Sequence, residues 1–66
     1  MRRSGPKYQV GDHYFMRVSF KSLAPNDEVV VTDVTKKRKD AYFEVRDING
    51  NIVTDVYYKD VRKRPR

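Results

Sequence analysis

The chain has 66 residues, room for one domain, and folding at this size buries only roughly 60% of the surface that the unfolded chain exposes, so a two-domain enzyme is excluded and the core is expected to be thin. Hydrophobic residues make up 38% and charged residues 36%; with no cysteine and one histidine, disulfide staples, thiolate metal sites and a cysteine nucleophile are excluded, and no zinc site can be built. Fifteen Lys and Arg against nine Asp and Glu give +6, which describes a polar globular chain that still holds enough Val, Tyr and Phe to fold.

No window sustains apolar residues at helical spacing over three turns, while β-branched and aromatic residues are dense and turn residues recur at short intervals, which predicts an all-β fold. Val10-Gly11-Asp12 leads into a first strand over 13–21, with Tyr14, Met16, Val18 and Phe20 on the core face and His13, Phe15, Arg17, Ser19 and Lys21 outward. Asp12 stands ready to bond nearby amides or His13. Residues 22–27 form a loop with Leu23 tucked inward and a type I turn at Pro25-Asn26-Asp27. A second strand runs from Glu28 to about Lys36; Val29 and Val31 share a face, and a bulge near Thr32 and Asp33 is needed to return Val34 to the core. The run 36–40, four cations and Asp40, is expected to be a mobile hairpin tip.

The third strand, Ala41 to Ile48, places Tyr42, Glu44 and Arg46 outward and Phe43 and Val45 inward, with a break near Asp47 that brings Ile48 in. Asn49-Gly50 predicts a two-residue hairpin turn, since both positions tolerate positive φ. A fourth strand covers Asn51 to about Val56, with Ile52 or Val53 inward. A single 3₁₀ turn over 57–60 then precedes a brief last strand over 61–63. Residues 1–7 and 64–66 are expected to be disordered basic tails.

This order of elements resembles an SH3-like barrel. The resemblance rests on Tyr8-Gln9-Val10-Gly11-Asp12, on Leu23 followed by Asn26-Asp27-Glu28-Val29-Val30-Val31, on Tyr42-Phe43-Glu44-Val45-Arg46-Asp47 with Asn49-Gly50, and on Tyr58-Lys59-Asp60-Val61, which together span most of residues 8–63. It implies a five-stranded barrel of the kind found in KOW and Tudor modules and in small phage or prophage proteins, and it fixes no function. No glycine occurs between Val29 and Lys39, where the KOW pattern has one. The tryptophan of the proline-rich-peptide groove is absent. Five tyrosines supply rings for a Tudor-like cage, but nothing in the sequence places three together.

A barrel this small fills its interior with side chains, so no enzyme activity is expected. No cofactor is expected either. Asp47, Asn49 and Asn51 stand at alternate positions, yet the twelfth position of that calcium-loop pattern is Tyr58, and no metal site is expected. No apolar run exceeds three residues and none follows Arg2 and Arg3, so no membrane span or signal peptide is expected and the default compartment is the cytoplasm.

Charge points to partners. Seven of the bases lie in residues 1–7 and 62–66; the other eight face nine acids, and four of those eight are consecutive, so the chain reads as an acidic body with three basic patches. Cations interleaved with exposed rings suit nucleic acid, DNA or RNA: Lys36, Lys37, Arg38 and Lys39 on the tip, Arg62, Lys63 and Arg64 at the tail, Arg17 and Lys21 on the first strand, and Tyr42 and Phe15 as stacking rings. The competing expectation is a protein-interaction module, of the sort a phage encodes to modulate an enzyme, docking on a larger nucleic-acid-processing protein through a free sheet edge. The chain is expected to be a monomer or a weak homodimer, because Tyr14 and Phe15 on opposite faces of one strand cannot both enter one thin core. The plainest alternative is that the charges only keep the protein dissolved.

Overall fold

The β-branched stretch after Pro25 builds the longest element of the structure, a computed structural model that describes residues 8–64. In chain order the elements are β1 (His13–Met16), β2 (Glu28–Lys37), β3 (Asp40–Asp47), β4 (Ile52–Tyr57), a 3₁₀ turn (Tyr58–Asp60) and β5 (Val61–Arg62). They form one antiparallel sheet in the order β4-β3-β2-β1-β5. The expected all-β fold with a single 3₁₀ turn before the last strand is present. The expected barrel closure is not: β4 and β5 are the edges, and no ladder among the described residues joins them. β5 has only two residues, both spent on pairing with β1, and the outer edge of β4 is blunted where Lys21 Nζ donates to Thr54 O at 3.0 Å. The expectations for residues 1–7, 65 and 66 lie outside the described residues.

One face of the sheet carries the core. Tyr14 and Met16 of β1, Val29 and Val31 of β2, Ala41, Phe43 and Val45 of β3, Val53 and Val56 of β4, and Val61 of β5 are buried with Leu23. The alternation in β3 follows from period two, with Tyr42 and Glu44 half-buried and Arg46 exposed on the other face.

Two bulges bend the sheet, and both lie opposite Glu44. On β2 the register shifts between Val31 and Asp33, as expected, so that Val34 faces Phe43 and packs against the core. The extra residue, Thr32, donates its hydroxyl to Glu44 O at 3.0 Å and lies 2.9 Å from Glu44 Oε2. On β4 the second bulge falls at Thr54 and Asp55, where Asp55 takes φ +64°. That residue lets Val53 and Val56, three apart, both face inward.

Several local expectations are overturned. β1 ends at Met16 rather than continuing to Lys21, because Arg17 N donates to Asp60 O and Met16 O accepts from Asn26 N. Phe20 and Leu23 then close a tight turn of their own; Leu23 fills the core, Phe20 is half-buried against it, and Val18 is 44% exposed. The turn at residues 24–27 places Pro25 before Asn26 at φ +71°, the type II arrangement in place of type I. His13 reaches Glu28 diagonally across the β1–β2 ladder, Nδ1 to Oε2 at 3.1 Å, and not Asp12, whose carboxylate accepts from Gln9 N and from the Tyr14 hydroxyl.

The tip is also shorter than expected. Lys36 and Lys37 belong to β2, paired with Ala41 and Asp40, and only Arg38 and Lys39 turn the chain, with Arg38 at φ +54°. Strand geometry sends Lys36 and Lys37 to opposite faces and sets Lys37 against an acid, which relieves the repulsion that argued for a loose loop.

At Asn49-Gly50 the connection has three residues, because only Gly50 takes positive φ and Asp47 N donates to Asn51 O beyond it. Ile48 therefore sits on the turn, 87% exposed, instead of entering the core. The carboxylate of Asp47 accepts from the backbone N–H of Asn51 and of Asn49, each at 2.9 Å, which holds its pKa below the ordinary carboxylate value. A depressed folded-state pKa adds stability above the unfolded value, lost as pH falls through the folded one. Asp47→Ala is thus expected to lower Tm at pH 7, with the deficit shrinking as pH falls below the ordinary aspartate value of about 3.9; a deficit constant with pH, in melts from pH 2 to 7, would contradict this assignment.

Candidate functional site

The second bulge does more than bend β4. It places Tyr57, and not Val56, opposite Tyr42, so the two rings lie 5.4 Å apart on the face away from the core. Tyr58, opening the 3₁₀ turn, meets Tyr57 edge-on at 5.0 Å, and Tyr8 meets Tyr58 at 5.9 Å. Four half-buried rings therefore run in unbroken contact from the outer face of the sheet around its margin to the core, where Tyr8 packs on Phe43 at 5.1 Å. Aromatic pairs at such distances favour tilted and edge-on contacts, as here.

Cations frame this row. Lys37 Nζ stands 5.9 Å from the centre of the Tyr42 ring and Lys59 Nζ 5.8 Å from that of Tyr58. Arg38 and Lys39 project from the turn beyond Lys37, and Lys36 lies on the opposite face; all are exposed. Beside Tyr42 a shallow depression is lined by Asp33, Glu44 and Asp55 together with Lys37, so carboxylates border the ring next to the tip cation. Asp40 belongs to the row itself, since its carboxylate accepts the Tyr57 hydroxyl at 3.0 Å.

Of the residues the sequence nominated, Lys37, Arg38, Lys39 and Tyr42 are brought together here, while Lys36, next to Lys37 in the chain, lies on the other face of the strand. The others stand elsewhere. Phe15 lies opposite both Glu28 and Arg62, nine residues along β2 from Lys37, about 30 Å of strand. It is half-buried on the outer face while Tyr14 is buried in the core, so one strand accommodates both rings. Arg62 has its Nε buried without a hydrogen-bond partner, Lys63 borders Gln9, Asp12, His13 and Tyr14, and Arg64 is exposed beyond them. Arg17 and Lys21 use their head groups on backbone oxygens, Arg17 Nη1 on Lys59 O at 2.8 Å and Lys21 Nζ on Thr54 O. The basic tip and the basic run at 62–64 therefore occupy separate parts of the sheet.

Tyr57 and Tyr58, two of the five tyrosines that could supply rings, were not among the residues expected at a nucleic-acid site. Their signal was the three-residue spacing of Val53 and Val56, which period two cannot bury without an extra residue.

Two phenols are held protonated. The hydrogen bond to Asp40, and then burial, push Tyr57 up to about 12; burial, and then the Asp12 charge, push Tyr14 up to about 12. A raised folded-state pKa means stability that is full below the unfolded value of about 10 and lost as pH rises toward 12. Tm is expected to fall across that window, and less steeply in Tyr14→Phe; identical slopes for both proteins in melts at pH 9 to 12 would refute the Asp12–Tyr14 contribution.

Among the described residues no group of three His, Asp or Glu side chains is placed to hold a metal ion, and no helix is long and apolar enough to cross a membrane. Compared with models of protein families, with curated proteins and with solved structures, the chain matches none of them.

Proposed function

We propose that this protein is a small non-enzymatic module that binds nucleic acid at the β2–β3 hairpin tip. The reading rests on one juxtaposition: Lys37, Arg38 and Lys39 at the tip beside the Tyr42–Tyr57–Tyr58 rings, with Lys37 and Lys59 against ring faces and Lys36 adding charge from the other face of the tip. Cations neutralise phosphates and release their counterions, which gives affinity without a base-reading motif. In the same reading the open sheet is of the SH3-like barrel type, supported by β1 pairing with both β2 and β5 and by the 3₁₀ turn between β4 and β5.

The test is a fluorescence-anisotropy titration against labelled DNA and RNA, single- and double-stranded, at about 50 and 200 mM salt. Affinity that collapses between the two supports the proposal; absence of binding at the lower salt sinks it.

A second reading, docking on a protein, draws on the opposite end of the outer face. There Ile48, 87% exposed, and Ile52, 52% exposed, lie beside half-buried Val30 and exposed Arg46. Isolated apolar residues are normal on surfaces, but a group at one sheet corner suits a partner. Binding through that corner persists at salt concentrations that abolish phosphate contacts.

A further inference from the structure

We infer that the tyrosine row is a stacking platform that makes the site selective for single-stranded nucleic acid with unpaired bases. This inference rests on the proposal that the tip binds nucleic acid, and it adds what the four tip cations alone cannot: a preference among nucleic acids.

Three observations carry it. First, the rings of Tyr42, Tyr57 and Tyr58 follow one another at 5.4 and 5.0 Å and are half-buried, so each is anchored by its neighbour yet keeps part of its surface open. An aromatic ring held in place by the fold loses little freedom when a base stacks on it, and stacking is indifferent to which base is offered. Second, the cations that lie against these rings among the described residues, Lys37 on Tyr42 and Lys59 on Tyr58, are exposed side chains on flexible stems. An arriving base displaces the ammonium from the ring, and the same ammonium is then within a side chain's reach of the adjoining phosphate. Third, Asp33, Glu44 and Asp55 share with Lys37 the depression beside Tyr42 and lie further along the strands from the tip than it does. A single strand can keep its phosphates on the tip side, whereas the second strand of a duplex is driven over three carboxylates. A duplex also hides the base faces that the rings require.

The experiment uses the full chain and three labelled ligands of equal length, about 12 nucleotides: oligothymidylate, a fully abasic strand of the same charge, and a duplex. The chain has five tyrosines and no tryptophan, so quenching of its intrinsic emission reports ring stacking directly. Expected are tyrosine quenching by oligothymidylate only, and affinity for it at least about tenfold above the abasic strand at 50 mM salt. Tyr42→Leu is expected to lower the oligothymidylate affinity about tenfold, down to that of the abasic strand, and to abolish the difference in tyrosine quenching; Tyr58→Leu serves as the second variant. Equal affinity for the abasic strand, or tighter binding of the duplex, with a steep salt slope overturns the platform and leaves the electrostatic reading standing. Absence of binding to all three overturns both.

Discussion

Replacing Phe43 with alanine is expected to remove cooperative folding at 25 °C. Phe43 is the largest fully buried side chain, stacked on Tyr14 at 5.8 Å, touched edge-on by Tyr8, and fixed in register opposite Val34 and Val56. Truncating such a ring costs about 3–5 kcal/mol, the lost transfer energy plus the cavity that neighbours fail to fill. A core in a chain this short supplies about as much net stability in total, and without cysteine there is no disulfide to compensate. Urea melts followed by circular dichroism check this directly: the variant should show no folded baseline, and a transition within a few degrees of the parent's in a thermal scan would mean that Phe43 is not the keystone of the core.

The second large effect concerns binding. Neutralising Lys36, Lys37, Arg38 and Lys39 together to glutamine should leave the fold intact, because all four are exposed. The Lys37–Tyr42 contact is weakened. Each phosphate contact on a single strand contributes about −0.7 to the slope of log affinity against log salt, so four contacts account for about −3. Between 50 and 200 mM salt that part alone is worth roughly fiftyfold, and it should vanish in the variant. The opposite sign is expected for Asp55→Asn, which removes a carboxylate beside Tyr42 and should tighten binding by a few-fold at low salt. Unchanged salt dependence in the quadruple variant would move the interface away from the tip.

The parts of the fold governed by period two were legible in the sequence: the inward Ala41, Phe43 and Val45 of β3, the buried Val29 and Val31, and the bulge that Val34 demanded. The 3₁₀ turn before β5 was legible because Tyr57-Tyr58-Lys59-Asp60 is too short for an α-helix. Failures arose where a tertiary hydrogen bond outranked local pattern. Alternation carries β1 on through Val18 and Phe20, but Asp60 and Asn26 take up the backbone groups of Arg17 and Met16 and stop it. Asn49-Gly50 favours a two-residue turn, yet the Asp47 carboxylate organises the amides of Asn49 and Asn51 into a wider one and pushes Ile48 into solvent.

The candidate site was half legible for a related reason. Its charge could be read directly from the run 36–39, and Tyr42 from its outward parity. Its other rings could not, because an unbulged β3–β4 hairpin sets Tyr42 against Val56 and turns Tyr57 toward the core. One extra residue at Asp55, in a conformation that aspartate tolerates better than most, exchanges the two. Phe15 was nominated by its outward parity and Arg62 and Lys63 by the basic run at the tail, and the pairing of β1 with β5 puts them in a different part of the sheet from the tip.

A single titration reads the interface residue by residue. Two-dimensional ¹H–¹⁵N spectra of the labelled protein, recorded as oligothymidylate is added at low salt, should show shifts concentrated on residues 36–39, Tyr42, Tyr57, Tyr58 and Lys59, with Ile48, Ile52, Phe15 and Lys63 unmoved. Shifts centred instead on Ile48 and Ile52, or on Phe15 and residues 62–64, would contradict the assignment of the tip and its tyrosine row as the binding surface.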